Sequence, residues 1–142
     1  MNDFQERLQE LLEDAEINRL QLSKIIGVDH STINGYFNKN YYPQLDIAIK
    51  IVKYFKCSLD YLFGFSNNKN NENHNNLEFF ENLNKLINDS NLSLRKIFKD
   101  IKISLSNYFR WRDGTAPKTI IIIEIAKYFN VGLDYLVGNV DI

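Results

Sequence analysis

The chain is poor in the residues that most often carry chemistry. It has one cysteine, two histidines and a formal net charge of −1 over 142 residues. A lone Cys57 cannot build a disulfide framework, and His30 and His74 stand in unlike contexts with no metal-ligand spacing around either. There is no Gly-rich phosphate-binding loop and no nucleophile motif, so the sequence points away from an enzyme and implies no cofactor and no metal. The longest apolar run, Ile120-Ile121-Ile122-Ile123, falls far short of the ~20 residues that span a bilayer. The N-terminus is acidic and amphipathic, unlike an export signal, which places the expected protein in the cytoplasm. The near-neutral charge also lacks the strongly basic field of a sequence-tolerant nucleic-acid binder.

What the chain does have is a repeat. Phe4, Leu8, Leu11 and Leu12 return as Phe79, Leu83, Leu86 and Ile87, a shift of 75; Tyr54-Phe55 and Leu59-Asp60-Tyr61-Leu62 return as Tyr128-Phe129 and Leu133-Asp134-Tyr135-Leu136, a shift of 74. One residue is therefore missing from the second copy, between Tyr108 and Pro117. A period this long suits a small domain rather than a solenoid unit. The expected organisation is a first domain at 1–66, a linker at 67–76 and a second domain at 77–142. Ser66 to Asn76 is rich in asparagine and has nothing to bury, which predicts a flexible linker, with His74 simply part of it. Cys57 stands where the second copy has Val131, which reads as a small buried hydrophobe.

Helical spacing runs through both copies. In the first, Asp3 is placed to cap a helix whose stripe is 4, 8, 11, 12 and 15, with Glu6, Glu10, Glu13 and Asp14 left for solvent. Asn18 precedes a helix over Arg19 to Ile26, which Gly27 ends. Asp29 is placed to cap a third helix, His30 to about Phe37, with Ile33 and Tyr36 inward and His30, Ser31, Asn34 and Gly35 outward. Pro43 leads into a fourth helix at about Leu45 to Phe55, and Ser58 caps a short last one ending at Gly64. The second copy predicts helices near Glu78–Asn88, Leu94–Ile101, Leu105–Arg112, Lys118–Phe129 and Leu133–Val137. The fold class is all-α, two small five-helix units.

Two short helices joined by a Gly-containing turn, the second with a small polar face, form a helix-turn-helix arrangement, in which one helix can enter the DNA major groove while the other braces against the backbone. The run Ile17 to Val28, then Ser31-Thr32-Ile33, Tyr36, Asn38, Pro43 and Ser58 to Gly64, resembles the Cro- and phage-repressor-like helix-turn-helix family, also called the xenobiotic response element family. The likeness recurs as Leu92-Ser93 to Ile103, Ser104 to Tyr108, Arg110-Trp111, Asp113-Gly114, Pro117 and Gly132 to Gly138.

The resemblance implies a phosphate contact at Arg19, beside Asn18 at the helix start, and base contacts from His30, Ser31, Thr32 and Asn34, with Asn34 the adenine reader. It implies a second phosphate clamp in the loop Asn38, Lys39 and Asn40. Short polar side chains on such a helix reach base edges, while cations and helix N-termini hold phosphate.

The second copy departs from this pattern. Leu94 stands for Arg19, Phe98 for Ser23, Leu105 for His30 and Phe109 for Asn34, with Arg110 replacing Gly35. Yet Arg95, Lys96, Lys99, Lys102, Arg110 and Arg112 gather there, and Arg95, Ser104, Ser106, Asn107, Arg110 and Arg112 are its candidate DNA contacts. Two readings stay open. One is a second DNA reader of different preference, whose Leu105 or Phe109 touches thymine methyls; the other is a protein interface on the Leu105/Phe109 face. Trp111 aligns with Tyr36 and reads as core.

The expected function is a cytoplasmic, nucleoid-associated transcription regulator of bacterial or phage type, a repressor binding a double-stranded operator. The alternative is an antitoxin or anti-repressor-like module in which protein contact dominates, with a homodimer or protein partner at the Leu105/Phe109 face or the Tyr61, Phe63 and Phe65 end. Eleven linker residues reach on the order of 36 Å fully extended and ~18 Å relaxed. Half-sites one turn apart lie ~34 Å centre to centre, so neighbouring half-sites require the facing ends to approach. The unlike third helices predict an imperfect, asymmetric operator.

Overall fold

The computed structural model describes residues 1–70 and 75–138, and His74 lies outside them. All ten regular elements among these residues are helices; the only β contact is an isolated bridge between Glu78 and Gly138. The chain divides into two compact units, residues 1–71 and 72–142.

Unit 1 holds α1 (Asp3–Asp14), α2 (Arg19–Ile26), α3 (His30–Asn38), α4 (Leu45–Phe55) and α5 (Leu59–Leu62). The cap of α1 is Asn2 rather than Asp3: its side chain accepts from Gln5 N–H while Gln5 reaches back to the Asn2 N–H, a reciprocal box that satisfies two helix-end donors. Phe4, Leu8, Leu11 and Leu12 are buried, whereas Ala15, expected on the same stripe, is exposed where the helix has already ended. The core is completed by Leu22, Ile26, Ile33, Ala48, Ile49, Ile51 and Leu62. Phe4 stacks on Phe63 at 5.3 Å and meets Tyr36 edge-on at 5.7 Å.

That packing changes the reading of the end of unit 1. Tyr61 and Phe63 are core residues rather than a docking end, and Phe65 is half-buried. The Arg7 guanidinium lies 4.3 Å above the Tyr61 ring. Both ends of the asparagine-rich stretch lie against the unit they adjoin. Asn67 accepts from Arg7, the Lys69 carbonyl accepts from Ser58 N–H, and Asn75 donates to the Tyr135 carbonyl.

Unit 2 holds α6 (Phe79–Ser90), α7 (Leu94–Ile101), α8 (Ser106–Arg112), α9 (Thr119–Phe129) and α10 (Leu133–Val137). Leu105, expected as the first residue of α8, is its cap, and Lys118 likewise precedes α9. The isoleucine run divides by face: Ile122 and Ile123 are buried and Ile120 is exposed. Trp111 is buried in the same place as Tyr36, while Cys57 and Val131 are both half-buried rather than buried.

One buried polar side chain in unit 1 fixes the third helix. Gln5 Nε2 lies within bonding distance of the Tyr36 carbonyl (2.7 Å), the Phe37 carbonyl (3.3 Å) and Asn40 Oδ1 (2.7 Å). It ties the start of α1 to the end of α3 and the loop beyond. Gln5→Leu deletes these bonds and leaves the acceptors poorly satisfied, so it should cost about 2 kcal/mol, read as a lower urea midpoint at unchanged slope.

Candidate nucleic-acid interface

The α2–α3 pair of unit 1 is built by local rules. Asn18 caps α2 through its Oδ1, which accepts from Gln21 N–H at 2.8 Å, and Gln21 returns the bond to Asn18 N–H. Gly27 ends α2 at φ +75, the left-handed exit that glycine adopts without strain. Ser23 is buried, and its hydroxyl donates to the Leu20 carbonyl. Asp29 occupies the N-cap position of α3, but its side chain makes no capping bond. Ile33 and Tyr36 face the core. Burial, and secondarily Asp46, push the Tyr36 phenol up to about 12, so it stays neutral.

His30, Ser31 and Thr32 are exposed and Asn34 is half-buried. These residues are not independent of α2. Arg19 lies with its guanidinium carbon 3.9 Å from the Phe37 ring centre, and its Nη1 donates to Asn34 Oδ1 at 3.3 Å. Asn34 Nδ2 lies 3.3 Å from His30 Nε2. A cleft of about 450 Å³ opens beside them, lined by Asn18, Arg19, His30, Gln9, Leu12 and Leu20.

Gly35, expected outward, is buried: the Tyr41 ring covers it, and an added Cβ would sit 3.1 Å from that ring. Asn38, expected in the loop, is the last residue of α3; it and the loop residues Lys39 and Asn40 are exposed, with Lys39 5.9 Å from the Tyr41 ring centre. Asn40 has φ +56 and one of its lone pairs is taken by Gln5. The structure thus brings Asn18, Arg19, His30 and Asn34 together and sets Asn38, Lys39 and Asn40 at the far end of α3. Sequence reasoning passed over Phe37, Gln5 and Tyr41. Phe37 did carry a signal, being an aromatic one position off the Ile33/Tyr36 stripe.

The corresponding surface of unit 2 is wired differently. Ser93 caps α7, Lys102 takes the left-handed exit at φ +66, and Phe98 is buried against Trp111 and Tyr108. Leu105 is half-buried and Phe109 is 41% exposed, so the apolar face is in part open. Arg112 lies 5.1 Å from the Phe109 ring and is paired with Asp113 at 3.0 Å, which holds its guanidinium above the usual arginine range. Asn107 donates back to the Ser104 carbonyl and Ser104 and Ser106 share a hydroxyl bond, while Arg95 and Arg110 are exposed. On α7, Asp100 accepts from Tyr128 and Lys96, which keeps its carboxyl below the usual range.

The one-residue deletion in the second copy has a definite place. Tyr36 and Trp111 correspond at a shift of 75, whereas Asn40 and Gly114, both at positive φ, correspond at 74. The one-residue offset therefore falls between Trp111 and Gly114, at the end of α8; α8 also starts one residue later than α3, with Leu105 as its cap where His30 is already helical.

Residues 8–62 match the family model described as Helix-turn-helix, a span that contains α2 to α5 and most of α1. An uncharacterised HTH-type transcriptional regulator of Rickettsia prowazekii (strain Madrid E) is 30% identical over 59 residues, which is 39% of this chain and 64% of that protein. One from Rickettsia conorii (strain ATCC VR-613 / Malish 7) is also 30% identical over 59 residues, covering 39% of this chain and 54% of its own length. The match therefore spans less than two thirds of either relative. No solved structure matches.

Proposed function

We propose, from the helix-turn-helix match over residues 8–62, that this chain is a sequence-specific DNA-binding transcription regulator, a repressor that acts by occupying its operator. The observation that carries the reading is the outward face of α3 inside that match. His30, Ser31, Thr32 and Asn34 form a short polar surface flanked by Arg19 at one end and Lys39 at the other. Such a surface suits a major groove: the short side chains reach base edges, while Asn18, Arg19, Asn38, Lys39 and Asn40 lie where phosphates would run. Both relatives carry the name transcriptional regulator, which agrees with this reading. No helix among the described residues is long and apolar enough to cross a membrane. The proposed place of action is the nucleoid.

In unit 2 the same role would fall to Arg95, Ser104, Ser106, Asn107, Arg110 and Arg112, giving an asymmetric operator. A second reading is favoured by one observation: Phe109 stands exposed where unit 1 has Asn34. On that reading the Leu105/Phe109 face holds a protein, either a second copy or a partner, and DNA contact is confined to unit 1.

Salt dependence in the full chain separates the two. Removing one cation from a phosphate should reduce the slope of log affinity against log salt by about 0.9. Arg19→Ala should lower the slope by that amount on either reading. Arg110→Ala should lower it again if unit 2 touches DNA and leave it unchanged if unit 2 holds protein. Wild-type binding that does not respond to salt, or no binding at all, would overturn the regulator reading.

A further inference from the structure

We propose that Phe37, whose ring lies against the Arg19 guanidinium, is the positioning residue that fixes the donor and acceptor order of Asn34. The inference rests on the DNA-binding reading above.

A guanidinium has only N–H donors, so the Asn34 atom facing Arg19 at 3.3 Å must be the carbonyl oxygen. That settles the amide's orientation, which an isolated asparagine leaves open to a flip. The amide nitrogen then faces His30 Nε2 at 3.3 Å and donates to it, with that ring nitrogen as acceptor. One lone pair on Oδ1 and one N–H on Nδ2 remain. These are what a bidentate adenine contact uses, and they are presented in one order only. The whole arrangement depends on Arg19 being at hand, and what holds Arg19 is the Phe37 ring beneath it at 3.9 Å. Stacking suits a planar guanidinium, which can lie flat on a ring while its N–H groups stay free at the edge.

The second unit supports the grouping. Positions 19 and 34 correspond to Leu94 and Phe109, so both have changed together, and position 37 falls where the second unit is one residue shorter. Unit 2 still has a guanidinium over an aromatic ring, Arg112 over Phe109, but it is paired with Asp113, and the 34 position has no amide to orient. The stack has moved from serving a reader to replacing it.

The test uses the full chain with Phe37→Leu, which keeps most of the apolar volume, and Phe37→Trp, which keeps a ring. In the DNA-free protein, the Asn34 side-chain amide signals should move in both Phe37→Leu and Arg19→Ala, and stay near wild type in Phe37→Trp. Selection from a random duplex pool should show Phe37→Leu losing about tenfold of its base preference at one position, with the rest of the enriched motif intact and the tryptophan variant restoring it. Unmoved Asn34 signals in a folded Phe37→Leu, judged by its circular dichroism, would overturn the positioning role whether or not the chain binds DNA. Moved signals with an unchanged motif would confine Phe37 to structure and overturn the proposal. Moved signals in a wild-type chain that enriches no duplex would instead bring down the DNA reading and this use of Phe37 with it.

Discussion

Gly138→Ala should unfold unit 2 under conditions that leave unit 1 intact. Gly138 follows α10 at φ +70 and ψ −139, a region that L-residues with a side chain rarely enter. It also pairs with Glu78 at the start of α6. A Cβ there would fall 1.9 Å from the Leu77 carbonyl oxygen and 2.7 Å from Asn82 Nδ2. Asn82 in turn donates to the carbonyls of Tyr135 and Leu136, so the clash reaches the bonds that fasten α10 to α6. Backbone strain alone costs roughly 1–3 kcal/mol, and displacing a backbone carbonyl adds to it. A total of at least about 3 kcal/mol corresponds to a fall of roughly 12–24 °C in Tm for a unit this size. The chain's single tryptophan, Trp111, is buried in unit 2, so its fluorescence reports that unit selectively. Gly114→Ala is the matched control in the same unit. Gly114 also has positive φ, but nothing lies within 4 Å of its Cβ position, so only strain is added. Equal Trp111 midpoints for the two variants would show that the close approach at Leu77 is not a constraint.

Asn34→Ala should cost operator affinity by roughly 10- to 100-fold, the worth of one bidentate base contact at about 1–3 kcal/mol. Binding to unrelated duplex should hardly change, because Arg19 keeps its charge and its stack on Phe37 and stays available to a phosphate. The discriminating quantity is the ratio of the two affinities at fixed salt. A ratio that collapses places Asn34 among the base readers. Parallel loss on both duplexes would make it a support for Arg19 and no more.

The scaffold was largely legible because its signals are local. Asn18 with Gln21, Gly27, Ser58, Ser93 and the paired stripes Phe4/Phe79 and Leu8/Leu83 mark helix ends and core faces within a few residues of each other. What stayed hidden needs distances between elements. Gln5 looks like a solvated residue beside Phe4 until α3, 31 residues on, is brought over it. Gly35 looks exposed by helical phase, and only the returning loop puts Tyr41 on top of it. Tyr61 and Phe63 look like a sticky end until they meet Arg7 and Phe4. The candidate readers follow from the family resemblance, yet their mutual wiring through Arg19 and Phe37 follows from the closeness of α2 and α3. In unit 2 the pairing of Arg112 with Asp113 changes the meaning of a basic cluster that composition alone presents as free charge.

The two units share a five-helix scaffold and differ in the surface they display. The most direct test of that account is selection of bound sequences by the full chain from a pool of random duplexes, with affinities for the enriched sites then measured across a range of salt. The account predicts one enriched, imperfect and asymmetric motif whose affinity falls steeply as salt rises. Enrichment no better than the input pool, or a perfectly palindromic site read only by unit 1 from two chains, would contradict it.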